Sequence, residues 1–138
     1  METQEQIIKK LHPHFINFLK FYFLAAILVV LGILFFWPII LFSIIFILLG
    51  ETTRRAETFY VFNNGVAREY KMLSTSRKFA EFSKIQNIEV NQSFFQTLFR
   101  VGNIKFDTAG TDLIEVSFLG VKDPYGIEKI IREKMAIK

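Results

Sequence analysis

The side chains able to do chemistry are few and poorly spaced for it. The chain carries two histidines, His12 and His14, and no cysteine. Two residues apart, the histidines cannot meet at i,i+4 on one helix face, so no metal pair is expected. They read as part of a basic segment ahead of an apolar run. The lack of cysteine excludes disulfides, cysteine zinc sites and thiol nucleophiles. Asp107, Asp112, Glu115 and Asp123 could be grouped as an acidic cluster. Asp112 and Asp123 stand in turn or cap contexts, however, and Asp107 and Glu115 alternate outward, so these are solvated faces. There is no phosphate-cradling glycine loop, no GxSxG and no HExxH. The expectation is a protein that is not an enzyme, with no catalytic residue, metal, cofactor or small-molecule substrate.

Recognition is the remaining chemistry. Lys and Arg total 17 against 13 Asp and Glu, a formal net charge of +4. Residues 51–138 hold 14 basic and 11 acidic side chains, net +3. Without a basic-aromatic motif, that balance argues against nucleic acid. Lys20, Arg54, Arg55, Arg77 and Lys78 are the candidate contacts with membrane lipid, since each basic residue near an anionic leaflet contributes about 1 kcal/mol. The competing reading is ordinary solvated Lys and Arg that report topology. Phe94, Phe95, Leu98 and Phe99 are the candidate partner contacts. They read either as a short helix plugging a core or as a docking or membrane-dipping patch.

The elements that must position these residues begin with an apolar run. Hydrophobic residues make up 51% of the chain and mean hydropathy is +0.33, and the excess is concentrated. From Phe21 to Gly50 none of the 30 residues is Asp, Glu, Lys, Arg or His. A membrane segment needs roughly 18 to 20. The run is too long and starts too late for a signal peptide. One straight helix of that length would measure about 45 Å against a hydrocarbon core of about 30 Å. A hairpin fits better, with helices over about 15–36 and 39–53 and a turn at Trp37-Pro38. Lys9, Lys10 and Lys20 precede the run and Arg54 and Arg55 follow it. Basic flanks favour the cytoplasmic side, and a hairpin puts both there. The alternative is one kinked, tilted span. The few polar side chains within the run, Tyr22, Ser43 and the Trp37 indole, argue against a pore.

The rest of the chain has a β texture. Strands are predicted over 58–62, 66–72, 76–82, 85–90, 102–108 and 113–119, with a tight turn at Asn63-Asn64-Gly65 and another at Ala109–Asp112. Six strands at this spacing suggest a barrel or sandwich. A short helix is predicted over 93–100. A last helix follows Asp123 as cap and Pro124 in the first turn, with Ile127, Ile130, Ile131 and Met135 on its apolar face and Glu128 paired to Arg132. The organisation expected is a juxtamembrane segment 1–20, membrane segments 21–53 and a folded domain 54–138.

At this point the chain resembles the prokaryotic membrane proteins that carry a bacterial pleckstrin-homology (PH)-like domain, the YdbS/YdbT-like group. The likeness lies in His12-Pro13, the paired hydrophobic segments and Thr58-Phe59-Tyr60-Val61. It continues in Ile85–Val90 with Gln92, Gly102-Asn103-Ile104, Thr108-Ala109-Gly110 and Gly120–Pro124. It departs at Ser93, Thr97 and Arg100, where the family has Gly, Arg and Gly. The resemblance implies a two-span hairpin, a cytoplasmic domain and a PH-like barrel closed by a C-terminal helix. Eukaryotic PH domains bind phosphoinositides through basic residues between their first two strands. The turn here, Asn63-Asn64-Gly65, has none. The expected function is a membrane-anchored recognition or scaffold module that binds a protein partner or itself as a homo-oligomer. The alternative is peripheral recognition of anionic lipid. The expected location is the cell membrane, with both termini and the domain on the cytoplasmic face.

Overall fold

A computed structural model describes residues 7–35, 37–109 and 116–137. The chain opens with a strand, β1 (Ile7–Leu11), then a 3-10 turn (Phe15–Phe18) that runs into helix α1 (Leu19–Leu34). Helix α2 (Pro38–Ala56) returns and leads without a break into β2 (Glu57–Phe62). Strands β3 (Gly65–Lys71) and β4 (Thr75–Glu81) complete an antiparallel four-stranded sheet in the order β1-β2-β3-β4. A 3-10 turn at Phe82–Lys84 leads to a second sheet of β5 (Ile85–Asn91), β6 (Val101–Thr108) and β7 (Val116–Lys122). Helix α3 (Phe94–Leu98) joins β5 to β6, and α4 (Pro124–Ala136) ends the chain.

The hairpin forms where the sequence places it. Pro38 occupies the first turn of α2, where its missing N–H costs nothing. Phe36 lies outside the described residues. Small residues line the seam between the helices: Ala25 and Gly32 on α1, Ser43 and Gly50 on α2, all buried. A Cβ at Gly32 would come within 3.1 Å of the Ile40 backbone nitrogen, and one at Gly50 within 3.1 Å of Phe21 Cβ. Such close approach packs the two helices backbone to side chain along the seam. The Ser43 hydroxyl donates to Ile40 O at 2.6 Å, so it adds no free polar group. The segment Phe15–Leu34 is long and apolar enough to cross a membrane. Helix α2 is uncharged only to Gly50 and ends in Glu51, Arg54 and Arg55.

β1 is an element the sequence reading did not contain. It pairs antiparallel with β2, with Lys9 opposite Val61 and Leu11 opposite Phe59. The segment read as juxtamembrane therefore supplies a strand to the same sheet that receives the chain after the hairpin. Both ends of the hairpin meet the same end of that sheet, so the helices run out and back.

The two sheets do not close into a barrel. They pack face to face, as the sandwich alternative expected, and the described residues form seven strands where six were expected. Phe59 stacks on Phe118 at 4.9 Å between ring centroids, and Phe106 meets Phe118 edge-on at 5.0 Å. Val61, Val66 and Ala80 join from the first sheet and Ile88, Ile104, Val116 and Val121 from the second. Alternation brings Ile104 and Phe106 inward from β6 and Val116 and Phe118 from β7. Ile127 and Ile131 of α4, one turn apart, complete the same core. Asp123 caps α4 through a 3.2 Å bond from Gly126 N, and Glu128 holds Arg132 at 2.8 Å. The turn expected at Ala109–Asp112, apart from Ala109, and the start of the strand expected from Leu113 lie outside the described residues.

The turn between β2 and β3 falls at Asn63 and Asn64 as predicted, for a different reason. Neither asparagine, nor Gly65, has positive φ. Gly65 is needed for space: a Cβ there would collide with Ala80 O and the Phe79 ring.

Phe118 is the best probe of this core, since it is fully buried and touches both other rings. Phe118→Ala is expected to lower unfolding free energy by about 3–5 kcal/mol, read by denaturant titration in detergent.

Candidate functional site

The candidate surface is the end of the domain from which the hairpin emerges. His14, just before the 3-10 turn, donates its backbone N–H to Gly120 O at 2.6 Å. Gly120 N in turn donates to Asn103 Oδ1 at 2.8 Å. Gly120 has φ +68, and a Cβ there would sit 2.7 Å from Asn17 Cβ. Only glycine suits both the conformation and the close approach. Gln96 of α3 completes the knot, its amide donating to Asn17 Oδ1 at 3.2 Å and Asn103 Oδ1 at 3.3 Å. Three polar side chains thus tie the foot of α1, α3 and the β6–β7 pair together.

Helix α3 is oriented by that knot. Ser93 and Gln96 form a capping box: Ser93 Oγ accepts from Gln96 N, and Gln96 Oε1 accepts from Ser93 N at 2.9 Å. Gln96 is only 6% exposed, the inward residue of the helix. Phe94, Phe95, Leu98 and Phe99 therefore face outward, with Phe94 81% and Leu98 69% exposed. The core-plug reading fails here, because the polar residue turned in and the apolar ones out. Phe99 lies edge-on to Phe15 at 6.4 Å, so the patch continues onto the turn below α1.

The five basic candidates do not form one site. Lys20 lies over the Phe21 ring at 5.4 Å. Arg54 and Arg55 both pair with Glu51, at 2.6 and 2.7 Å, and Tyr22 OH donates to the same carboxylate at 3.2 Å. With His12 they line a shallow hollow of about 290 Å³ at the foot of α2. Arg77 and Lys78 point to opposite faces of β4. Arg77 packs over the Phe62 ring at 5.5 Å. Lys78 lies across from Arg68 on the face that carries the core farther along.

There a polar mouth opens that the sequence reading missed. Arg68, Tyr70, Ser76 and Lys78 line a concavity of about 250 Å³. Arg68 is held from below by an ion pair with Glu57, whose side chain is 8% exposed. The register sets Tyr70 opposite Glu57, so the mouth lies at the hairpin end of the sheet. The nearby β3–β4 turn carries Leu73, which is 97% exposed. Nothing local in the sequence pairs Glu57 with Arg68. By contrast, Ser93-x-x-Gln96 is a readable capping signature.

The histidines are structural. His12 Nδ1 lies 3.1 Å from Glu57 O, and His14 Nδ1 accepts from Ile16 N at 3.4 Å. Among the described residues no group of His, Asp and Glu could hold a metal. Asp107 pairs with Asn87 at 3.3 Å on an exposed face. Asp112 and Glu115 lie outside the described residues.

Two packed antiparallel sheets with a C-terminal helix in their open side define a PH-like fold. Residues 14–135 match the family model described as the bacterial PH domain, and the chain belongs to that family. The match runs through the hairpin and from β2 to β7, with β1 lying before it. Among solved structures, a DUF1696-family protein with a pleckstrin-homology domain from Shewanella loihica PV-4 is similar at 20% identity and TM-score 0.42. The likeness covers 57% of this chain and 71% of that one. No curated protein matches.

His14 makes stability depend on pH. Burial first, then the charges of Lys122 and Arg54, push its pKa below the ordinary 6.5. The folded chain thus keeps His14 neutral at pH values where the unfolded chain protonates it. The stability this preserves is complete above about 6.5 and declines as pH falls below it. His14→Asn, which retains a cap acceptor, is expected to show a smaller drop in thermal midpoint between about pH 7 and 5.

Proposed function

We propose that this protein is a non-enzymatic recognition or scaffold module, anchored in the membrane by its helical hairpin and working at the cytoplasmic face. The apolar helix Phe15–Leu34 supports the anchoring, and the pairing of β1 with β2 carries the topology. That pairing returns both ends of the hairpin to the same end of the first sheet, which favours the domain and both flanks on one side of any bilayer the hairpin enters. The basic residues flanking the hairpin favour the cytoplasmic side. The partner is a protein or a second copy of the chain. The surface suited to it is β4, an edge strand whose residues Thr75–Lys78 are exposed. Edge strands bind extended segments through their free backbone groups.

A second reading is favoured by the polar mouth. A guanidinium, an ammonium and two hydroxyls on one concave surface suit a phosphate-bearing lipid head group. Ser76→Ala with Lys78→Ala leaves the Glu57–Arg68 pair intact. On this reading the double variant loses anionic lipid that the purified wild type retains in detergent, measured by mass spectrometry. Equal retention removes the lipid reading.

The lack of native cysteine makes single-cysteine probes clean. Trp37→Cys and Lys129→Cys are expected to react with an impermeant maleimide from opposite sides of sealed vesicles. Labelling of both from one side, or of position 37 from neither, overturns the spanning hairpin. Thr75→Cys on the β4 edge is expected to give cross-linked dimers or a discrete cross-linked partner in native membranes, with Lys129→Cys as control. Equal, diffuse cross-linking at both positions overturns the β4 surface.

A further inference from the structure

We propose that α3, with the turn beneath α1, is a second membrane contact: an interfacial foot whose side chains enter the boundary between lipid head groups and acyl chains. This rests on the anchored reading above. The surface comprises Phe15, Leu19, Phe94, Phe95, Leu98 and Phe99, every one exposed. The Phe15–Phe99 contact makes it continuous with the base of the apolar helix Phe15–Leu34.

Its occupant is read from what the foot lacks. No side chain from Phe94 to Phe99 is charged. Gln96 turns inward to Asn17 and Asn103. The Thr97 hydroxyl is exposed but donates to Ser93 O at 2.9 Å, and the Ser93 hydroxyl accepts from Gln96 N. The polar side chains of this turn each have a partner within the protein, so the face can leave water without stranding one. Helices that lie in the membrane interface bury Phe and Leu on their apolar face. The aromatic residues here are all Phe. Lys20 and Arg100 flank the patch and supply the cationic rim that head groups attract. Depth is set by covalent attachment, since Phe15 lies only a few residues before Lys20 and Tyr22. The Asn17–Gln96–Asn103 bonds then hold α3 beside that turn rather than away from the bilayer.

The test uses the full-length chain in proteoliposomes, with single cysteines carrying an environment-sensitive fluorophore. Phe95→Cys probes the foot, Ile27→Cys the hairpin and Lys129→Cys the exposed side of α4. The foot is expected to give blue-shifted emission that a shallow spin-labelled lipid quenches strongly and a deep one weakly. Position 27 should respond to the deep quencher and position 129 to neither. Water-like emission at position 95 with quenching at 27 overturns the foot and leaves the anchor standing. Blue-shifted emission at 95 that no lipid quencher reaches also overturns it, by showing a protein covering the patch. Absence of quenching at 27 overturns the anchored reading itself.

Discussion

The ladder between β1 and β2 is the constraint on which the rest of the molecule depends. It joins two segments separated in sequence by the whole helical hairpin, and closing so long a loop carries an entropic cost that grows only slowly with length. The hairpin lowers that cost by packing on itself through Ala25, Gly32, Ser43 and Gly50. Once the ladder exists, β2 has an ordered neighbour on each side and Phe59 is fixed as the floor of the core. A fragment beginning after the hairpin would lack β1 and leave β2 as a bare edge, prone to pair with other chains.

Around that ladder the molecule divides its polar groups in an ordered way. Along the core-facing side of the first sheet, Val61, Val66 and Ala80 give way toward the hairpin to Arg68, Lys78 and Ser76. One sheet face is thus core at one end and polar surface at the other. The buried Glu57 carboxylate makes this workable. It pairs with Arg68, whose loss would leave the Glu57 carboxylate buried without its cation. The same economy shows at Glu51, which engages Arg54, Arg55 and Tyr22 at the base of the helices.

Much of this was legible because it is local. The apolar run, Pro38 at the turn, the alternation at Ile104 and Phe106, and Asp123-Pro124 before the last helix each depend on near neighbours. What was not legible depends on distance. Ile7–Leu11 shows no alternation and is mostly exposed, and its partner strand lies beyond the hairpin. Glu57 and Arg68 meet only once β2 and β3 pair. Asn17, Gln96 and Asn103 come from three elements. At α3 the periodicity correctly grouped Phe94, Phe95, Leu98 and Phe99 on one face. Period alone does not say what that face meets, and the side occupied by Gln96 proved to be the interior. A closed barrel was expected because strand number and spacing do not distinguish a barrel from two sheets whose edges stay unpaired.

The absence of a flexible linker has a mechanical consequence. α2 runs straight into β2, β1 leads into α1 through a turn pinned to Gly120, and Gln96 adds a third tie. A domain held at three points cannot swivel about its anchor. On the anchored reading proposed above, it presents one side to the bilayer, which removes part of the rotational freedom that association normally costs. With the hairpin in a bilayer as proposed above, a partner in the same membrane would approach a fixed face of the domain by lateral diffusion.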